Sequence, residues 1–371
     1  MTTQPPAGAQ PPATVRQSAE ERWADELVAL DAWDAARGNA VPPGWRRSPR
    51  AVRAFVVGAP DLGVSRKYLG NDPLVDRAIV TLLGRQGLML VGDPGTAKSM
   101  LSELLAAAIS GTSNLTIQGT AGTTEDHIRY SWNYSLLLAE GPTARALVPS
   151  PIHSGLATGR VVRFEELTRC APEIQDVLVS VLSEKALMVP EMGADVRVSA
   201  APGFNLIATA NLRDRGVNEM SAALKRRFNF ETVHPIADRQ QEIEVIERQV
   251  AVEIGEAAPP PSRDVIDLLV TAFRELRTGR TEQGVAIVAP ETVMSTAEAV
   301  NVAVSSVMEA RYFGDGRVTP THLARQLTGV ALKDSAEDRT RLRAYLDSVV
   351  RDRARRSPAW QEFHTAARDI W

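Results

Sequence analysis

Gly87-Leu88-Met89-Leu90-Val91-Gly92-Asp93-Pro94-Gly95-Thr96-Ala97-Lys98-Ser99-Met100 is the stretch on which the fold turns. A short apolar run reads as a buried strand, breaks into a glycine-bearing turn, and passes into Leu101, Leu104 and Leu105 at helical spacing. Strand, loop and helix in that order are the setting of a phosphate-binding loop. Gly92 and Gly95 let backbone amides approach an anion without a Cβ in the way, and the amides opening the helix add partial positive charge. Lys98 has the reach for terminal phosphates, and the Ser99 hydroxyl is a hard oxygen suited to Mg²⁺. Ala97 departs from the usual pattern, which has glycine before the lysine. The competing reading is an ordinary strand-to-helix turn, so the decision rests on what lies downstream.

Downstream, Arg160-Val161-Val162-Arg163-Phe164-Glu165-Glu166 reads as a strand ending in two adjacent carboxylates. A nucleotide site needs such a pair: one carboxylate to hold Mg²⁺ through water, the next to polarise the attacking water. Glu165 stands where such strand ends usually carry Asp, and its extra methylene alters how it reaches the metal. The plainer reading is a strand running into an acidic helix start, since Pro172 and Glu173 follow. Phe204-Asn205-Leu206-Ile207-Ala208-Thr209-Ala210-Asn211 is an apolar strand ending in an amide, suited either to orienting a lytic water or to capping the loop. Leu224-Lys225-Arg226-Arg227-Phe228 then sets three cations beside a strand, where single-subunit chemistry has no use for them.

Length and composition bound the rest. At 371 residues, 44% hydrophobic, the chain holds more than one domain. A net charge of -3 gives no global pull toward nucleic acid or acidic membranes. The single cysteine, Cys170, excludes an internal disulfide, and no apolar run reaches membrane-spanning length. With a polar, proline-bearing start, the expectation is a cytoplasmic protein without membrane attachment.

From Ser18 a helix is expected, with Trp23, Leu27, Leu30 and Trp33 on one face and Gly38 as its end. Arg46, Arg47, Arg50 and Arg53 read as a solvated basic face. The stretch from Gly119 to Gly159 is too long for bare loop, and its His127 and His153 read as structural. Ala186 to Val189 and Val196 to Val198 read as a hairpin. Helices are expected at Ile236 to Val252, interrupted after it by Ala257-Ala258-Pro259-Pro260-Pro261, and at Ser262 to Arg277, Pro290 to Glu309, Thr319 to Leu327 and Ala336 to Arg356. Trp360, Phe363 and Trp371 follow in a tail.

Lys98, the Glu165-Glu166 pair, Asn211 and the Arg227-Phe228 step fall in the order and spacing of the AAA+ ATPases, which this chain resembles. The alanine before Lys98, the Pro151-Ile152 step ahead of the acidic strand, and the strand end at Asn211 resemble the MoxR branch. The resemblance spans roughly residues 68–334. It implies an α/β P-loop NTPase fold: a parallel sheet sandwiched by helices, then a small all-α lid, with helical N- and C-terminal extensions. The expected divisions are a disordered tail at 1–17, a helical extension and linker at 18–60, the nucleotide-binding domain at 61–235, the lid at 236–333, and a C-terminal helix and tail at 334–371.

By that resemblance, residues Gly92 to Met100 bind ATP, Ser99 and Glu165 hold Mg²⁺, and Glu166 activates water with Asn211 as sensor 1. Arg227, with Arg226 as competitor, is the finger inserted into a neighbour's site, so a ring, a hexamer as in relatives, is implied. The implied client is a protein, one with a von Willebrand factor A domain among the choices. Two departures stand out. Glu165 replaces the family's aspartate, and Ala289-Pro290-Glu291 sits where relatives carry Ser-Pro-Arg, leaving Arg280 or Arg325 to replace the sensor 2 arginine. The other functions weighed are a nucleic-acid motor, supported by the arginine clusters, and a nucleotide-gated scaffold with little turnover. Against the motor stand the acidic net charge and the lack of zinc, helix-turn-helix or RNA-binding signatures.

Overall fold

The computed structural model describes residues 16–211, 217–255, 260–292, 294–331 and 335–370. The expected disordered start up to Val15, the Ala257-Ala258-Pro259 interruption and Trp371 lie outside the described residues. Two units result: one runs to Val91 and resumes at Ser99–Glu231, and the other joins Gly92–Lys98 to Thr232–Trp371.

The first unit opens with α1 (Ala19–Arg22), α2 (Ala24–Arg37), α3 (Pro49–Val57) and α4 (Asp72–Leu83). β1 (Gly87–Val91) leads through the loop to α5 (Lys98–Ser110) and β2 (Thr116–Gln118). α6 (Glu125–Ile128), β3 (Tyr130–Trp132), α7 (Tyr134–Glu140), β4 (Leu147–Pro149) and α8 (Pro151–Thr158) fill the long stretch before β5 (Val161–Glu165). Then come α9 (Pro172–Glu184), the hairpin β6 (Ala186–Met188) and β7 (Arg197–Ser199), β8 (Asn205–Ala210), α10 (Ala222–Lys225) and β9 (Phe228–Thr232). Of the histidines of the inserted stretch, His127 Nδ1 accepts the Thr124 amide and His153 packs edge-on against Tyr130.

The sheet runs β2-β5-β8-β1-β9, with β2, β5, β8 and β1 parallel. β1, β5 and β8 are buried along their whole length, as strands of a parallel sheet covered on both faces must be. Because β1 is followed by edge strand β2, the chain order reverses beside it. In such sheets the crevice beyond the strands' carboxyl ends is where ligands bind.

The N-terminal helices are fastened to this sheet domain. Trp23 breaks the expected single helix into α1 and α2, and Gly38 ends it in the left-handed region. Lys67, almost wholly buried, pairs with Glu26 and lies 4.3 Å from the Phe55 ring. The basic face at Arg46 to Arg53 is not solvated throughout. Arg47 is 4% exposed and donates to the Leu27 and Ala108 carbonyls and to Asp31, while Arg53 pairs with Asp76. The fork of this guanidinium joins two helices, bonding Leu27 and Asp31 on α2 and Ala108 on α5.

The second unit holds α11 (Arg239–Ile254), α12 (Arg263–Thr278), α13 (Thr296–Phe313), α14 (Pro320–Ala331), α15 (Ala336–Tyr345), a π turn at Leu346–Val350, α16 (Arg351–Ala354) and α17 (Pro358–Ile370). The helix expected from Pro290 starts at Thr296, where Ser295 and Glu298 form a capping box. Of the aromatics expected in a tail, Trp360 and Phe363 sit on α17. Phe363 is 1% exposed in one cluster with Leu269, Phe273, Leu323 and Leu342, and Trp360 stacks edge-on against it. Arg353, 4.8 Å over the Trp360 ring, binds buried Glu275, which also accepts from the Tyr345 hydroxyl. Phe363→Ala is therefore expected to cost about 3–5 kcal/mol, read as a lower urea midpoint.

Candidate functional site

Four donors converge on the carboxylate that ends β5. Glu165 is 4% exposed, and its Oε2 accepts from the Ser99 hydroxyl at 2.7 Å and the Thr209 hydroxyl at 2.8 Å. Its Oε1 accepts from Ser102 at 2.6 Å and from Arg163 at 2.8 Å. Burial pushes the Glu165 pKa up, but these hydrogen bonds and the Arg163 charge together outweigh it and hold it below the ordinary glutamate value. The stability this ionised group contributes is present above that ordinary value and is lost as pH falls through the lowered one.

Period-two alternation explains the geometry. Val161, Arg163 and Glu165 share one face of β5, and Thr209 lies on the neighbouring strand β8. A charge two residues before Glu165 in a buried strand was the available signal for Arg163. Ser102, one turn beyond Ser99 on α5, followed from helical spacing. Neither was singled out by sequence reasoning.

Glu166 ends the strand in the left-handed region, at φ 56°. That turn carries its side chain to Asn211, whose amide nitrogen donates to Glu166 Oε1 at 3.1 Å. Arg169, on the following turn, pairs with the other oxygen. Glu165, Glu166, Ser99 and Asn211 are thus brought together at the carboxyl ends of β5 and β8.

The loop residues belong to the second unit. Gly95 has φ 73°, and a Cβ there would lie 2.4 Å from the Ser295 Cβ and 3.5 Å from that of Ala297. At Gly92 a Cβ would meet the Val233 carbonyl oxygen at 2.3 Å, so both glycines are required. Lys98 is buried and donates to the carbonyls of Gly92 and Asp93, and the Thr96 hydroxyl donates to Asp93. Ala97, where the usual pattern has glycine, adopts φ 66°.

The helix start against the loop is thus Ser295 to Ala297, not Ala289-Pro290-Glu291, whose Glu291 amide instead donates to Asp338. Of the suggested substitutes, Arg325 pairs with Glu309. The guanidinium at the start of α13 is that of Arg277, which donates to the Met294 carbonyl and binds fully buried Glu242 together with Arg274. Sequence reasoning missed it, because Glu242 lies on a distant helix.

In the first unit, Arg227 donates to the Ser183 hydroxyl at 2.9 Å and to the Ala223 carbonyl, while Arg226 is exposed. Among the described residues neither guanidinium meets a carboxylate.

With this geometry in place, the comparisons are specific. The family described as AAA domain (dynein-related subfamily) matches residues 87–228, and the YehL-like AAA+ ATPase C-terminal domain matches residues 240–370. YehL of Escherichia coli (strain K12) is 46% identical over 354 residues, which is 95% of this chain and 96% of that protein. The chain belongs to the MoxR-like AAA+ ATPases. Chaperone MoxR1 of Mycobacterium tuberculosis is 24% identical over 233 residues, 62% of this MoxR-like chain and 56% of that protein. Among solved structures, NtrX from Brucella abortus in complex with ADP aligns at a TM-score of 0.47 and 14% identity, over 81% of this chain and 64% of NtrX. No described helix is long and apolar enough to cross a membrane.

In this MoxR-like loop, an L residue in the left-handed region carries a cost of about 1–2 kcal/mol that glycine does not. Ala97→Gly should raise the unfolding free energy by about 1 kcal/mol and Ala97→Val should lower it further. Denaturant melts of the three proteins check the order.

Proposed function

We propose that this protein hydrolyses ATP at sites shared between neighbouring copies of a ring, and uses the cycle to remodel, assemble or activate a protein partner. The observation that carries the reading is the Ser99 hydroxyl seated on Glu165, with Glu166 and Asn211 beside it. A hydroxyl and a carboxylate side by side are the hard-oxygen set that Mg²⁺ favours, so these residues fit the metal of an ATP complex. The two required glycines, with Lys98 held over the loop, fit a phosphate cradle. Mg²⁺ bound with ATP supplies charge neutralisation at the phosphates.

Ser99 and Glu165 hold the metal, the backbone from Gly92 to Met100 and the Lys98 ammonium bind the phosphates, and Glu166 accepts a proton from water. Asn211 orients the Glu166 carboxylate. Arg169 occupies the same carboxylate, so Glu166 has to leave that pair before it can act as a base. Arg227, which meets no carboxylate among the described residues, is assigned to the neighbour's site. A finger of that kind is worth about 10³–10⁵ in rate and does nothing in a monomer.

The name of MoxR1 as a chaperone supports a protein client. MoxR-like proteins are commonly paired with von Willebrand factor A domain proteins, and such a partner is the first to test. The nucleic-acid reading draws less support from the Arg46 to Arg53 cluster, since Arg47 is buried and Arg53 is ion-paired. Arg227→Ala and Lys98→Ala are each expected to abolish hydrolysis alone and to recover part of it when mixed. An absence of recovery at every ratio would contradict the shared site.

A further inference from the structure

Arg163 is a buried arginine whose work is not accounted for by the fold. It is 8% exposed in the middle of a strand, where an apolar residue would serve packing better. All three of its nitrogens are engaged. Nη2 donates to Glu165 Oε1 at 2.8 Å and to the Ser99 carbonyl at 3.1 Å. Nε donates to the Ser102 hydroxyl at 3.0 Å, and Nη1 to the Ser113 carbonyl at 3.3 Å and the Thr116 hydroxyl at 3.4 Å. Ser102 in turn donates to the same Glu165 oxygen that Arg163 holds.

The carboxylate is thereby divided. Oε1 is tied back by Arg163 and Ser102, and Oε2 is left to Ser99 and Thr209. A glutamate has one more rotatable bond than an aspartate and reaches about 1.5 Å further. Left loose at the end of a strand, that extra length would let the carboxylate swing among rotamers. A guanidinium fork fixes one oxygen and with it the plane of the other, which a point charge cannot do. Since Arg163 also holds the Ser99 carbonyl, one side chain sets both members of the pair.

We propose that Arg163 is a positioning residue for the metal site: with Ser102 it compensates for glutamate at position 165 by aiming Oε2 at the Ser99 hydroxyl. This rests on the reading of Ser99 and Glu165 as the Mg²⁺-holding pair. Residues that orient metal ligands are worth about 10–100-fold in metal affinity. Removing Arg163 should therefore act on the Mg²⁺ requirement rather than on nucleotide affinity as such.

The test is binding of a fluorescent, non-hydrolysable ATP analogue to the full chain, titrated with Mg²⁺. Arg163→Met is expected to raise the Mg²⁺ concentration for half-maximal tightening about tenfold or more, leaving the Mg²⁺-free affinity within about twofold. Arg163→Lys, which restores charge but not the fork, should fall between. Ser102→Ala removes one of the two Oε1 donors and should shift the requirement several-fold. It decides the matter should Arg163→Met fail to fold. An unchanged Mg²⁺ requirement in a folded variant, or an equal fall in affinity with and without Mg²⁺, would overturn the proposal and mark Arg163 as merely structural. If instead the wild-type chain shows no Mg²⁺-dependent binding, or Lys98→Ala binds as tightly as wild type, the ATP reading itself fails, an outcome distinct from either.

Discussion

A carboxylate removed from water must be surrounded by donors or give up its charge, and the arrangement around Glu165 follows from that requirement. Its four donors come from three elements: Arg163 on β5 itself, Ser99 and Ser102 on α5, and Thr209 on β8. Removing one partner of such a buried pair costs about 3–5 kcal/mol, because the remaining charge is left uncompensated. β5, β8 and α5 are thus tied together by the same group that would meet the metal. Stability and chemistry here depend on one set of hydrogen bonds.

That set extends toward the N-terminal helices. Glu20 of α1 accepts from the Ser113 amide and hydroxyl, and the Ser113 carbonyl accepts from Arg163. Glu103 in the middle of α5 accepts the Ala19 amide, and at its far end the Ile109 and Ala108 carbonyls receive Arg46 and Arg47. α5 is thereby held along its length by the segment preceding the sheet. Of the tryptophans of that segment, Trp23 packs edge-on against Phe55 of the same unit.

Local signals were legible in the sequence wherever one residue settles one conformation. The glycines of the loop, the adjacent acids at the end of β5, the amide at Asn211 and the hairpin between Ala186 and Ser199 all belong to this kind. Placements that depend on distant acceptors were not. Nothing near Arg47 distinguishes it from Arg46 or Arg53; it is buried because the carbonyls of Leu27 and Ala108 lie on either side of it. Phe363 looked like part of a tail because its core partners, Phe273 and Leu323, are remote in sequence. The start of α13 was readable and was misjudged: Pro290 resembled a helix opening, while the Ser295 and Glu298 capping box carried the stronger signal.

The first unit brings Ser99, Glu165, Glu166 and Asn211 together, while among its described residues neither Arg226 nor Arg227 meets a carboxylate. The central claim is therefore that turnover requires a second copy. The direct measurement is ATPase activity per subunit across a dilution series, with the assembly state read in parallel by sedimentation velocity in ATP. The account predicts that activity per subunit falls in step with the fraction of assembled protein. A monomer that turns over ATP at the undiluted rate would contradict it.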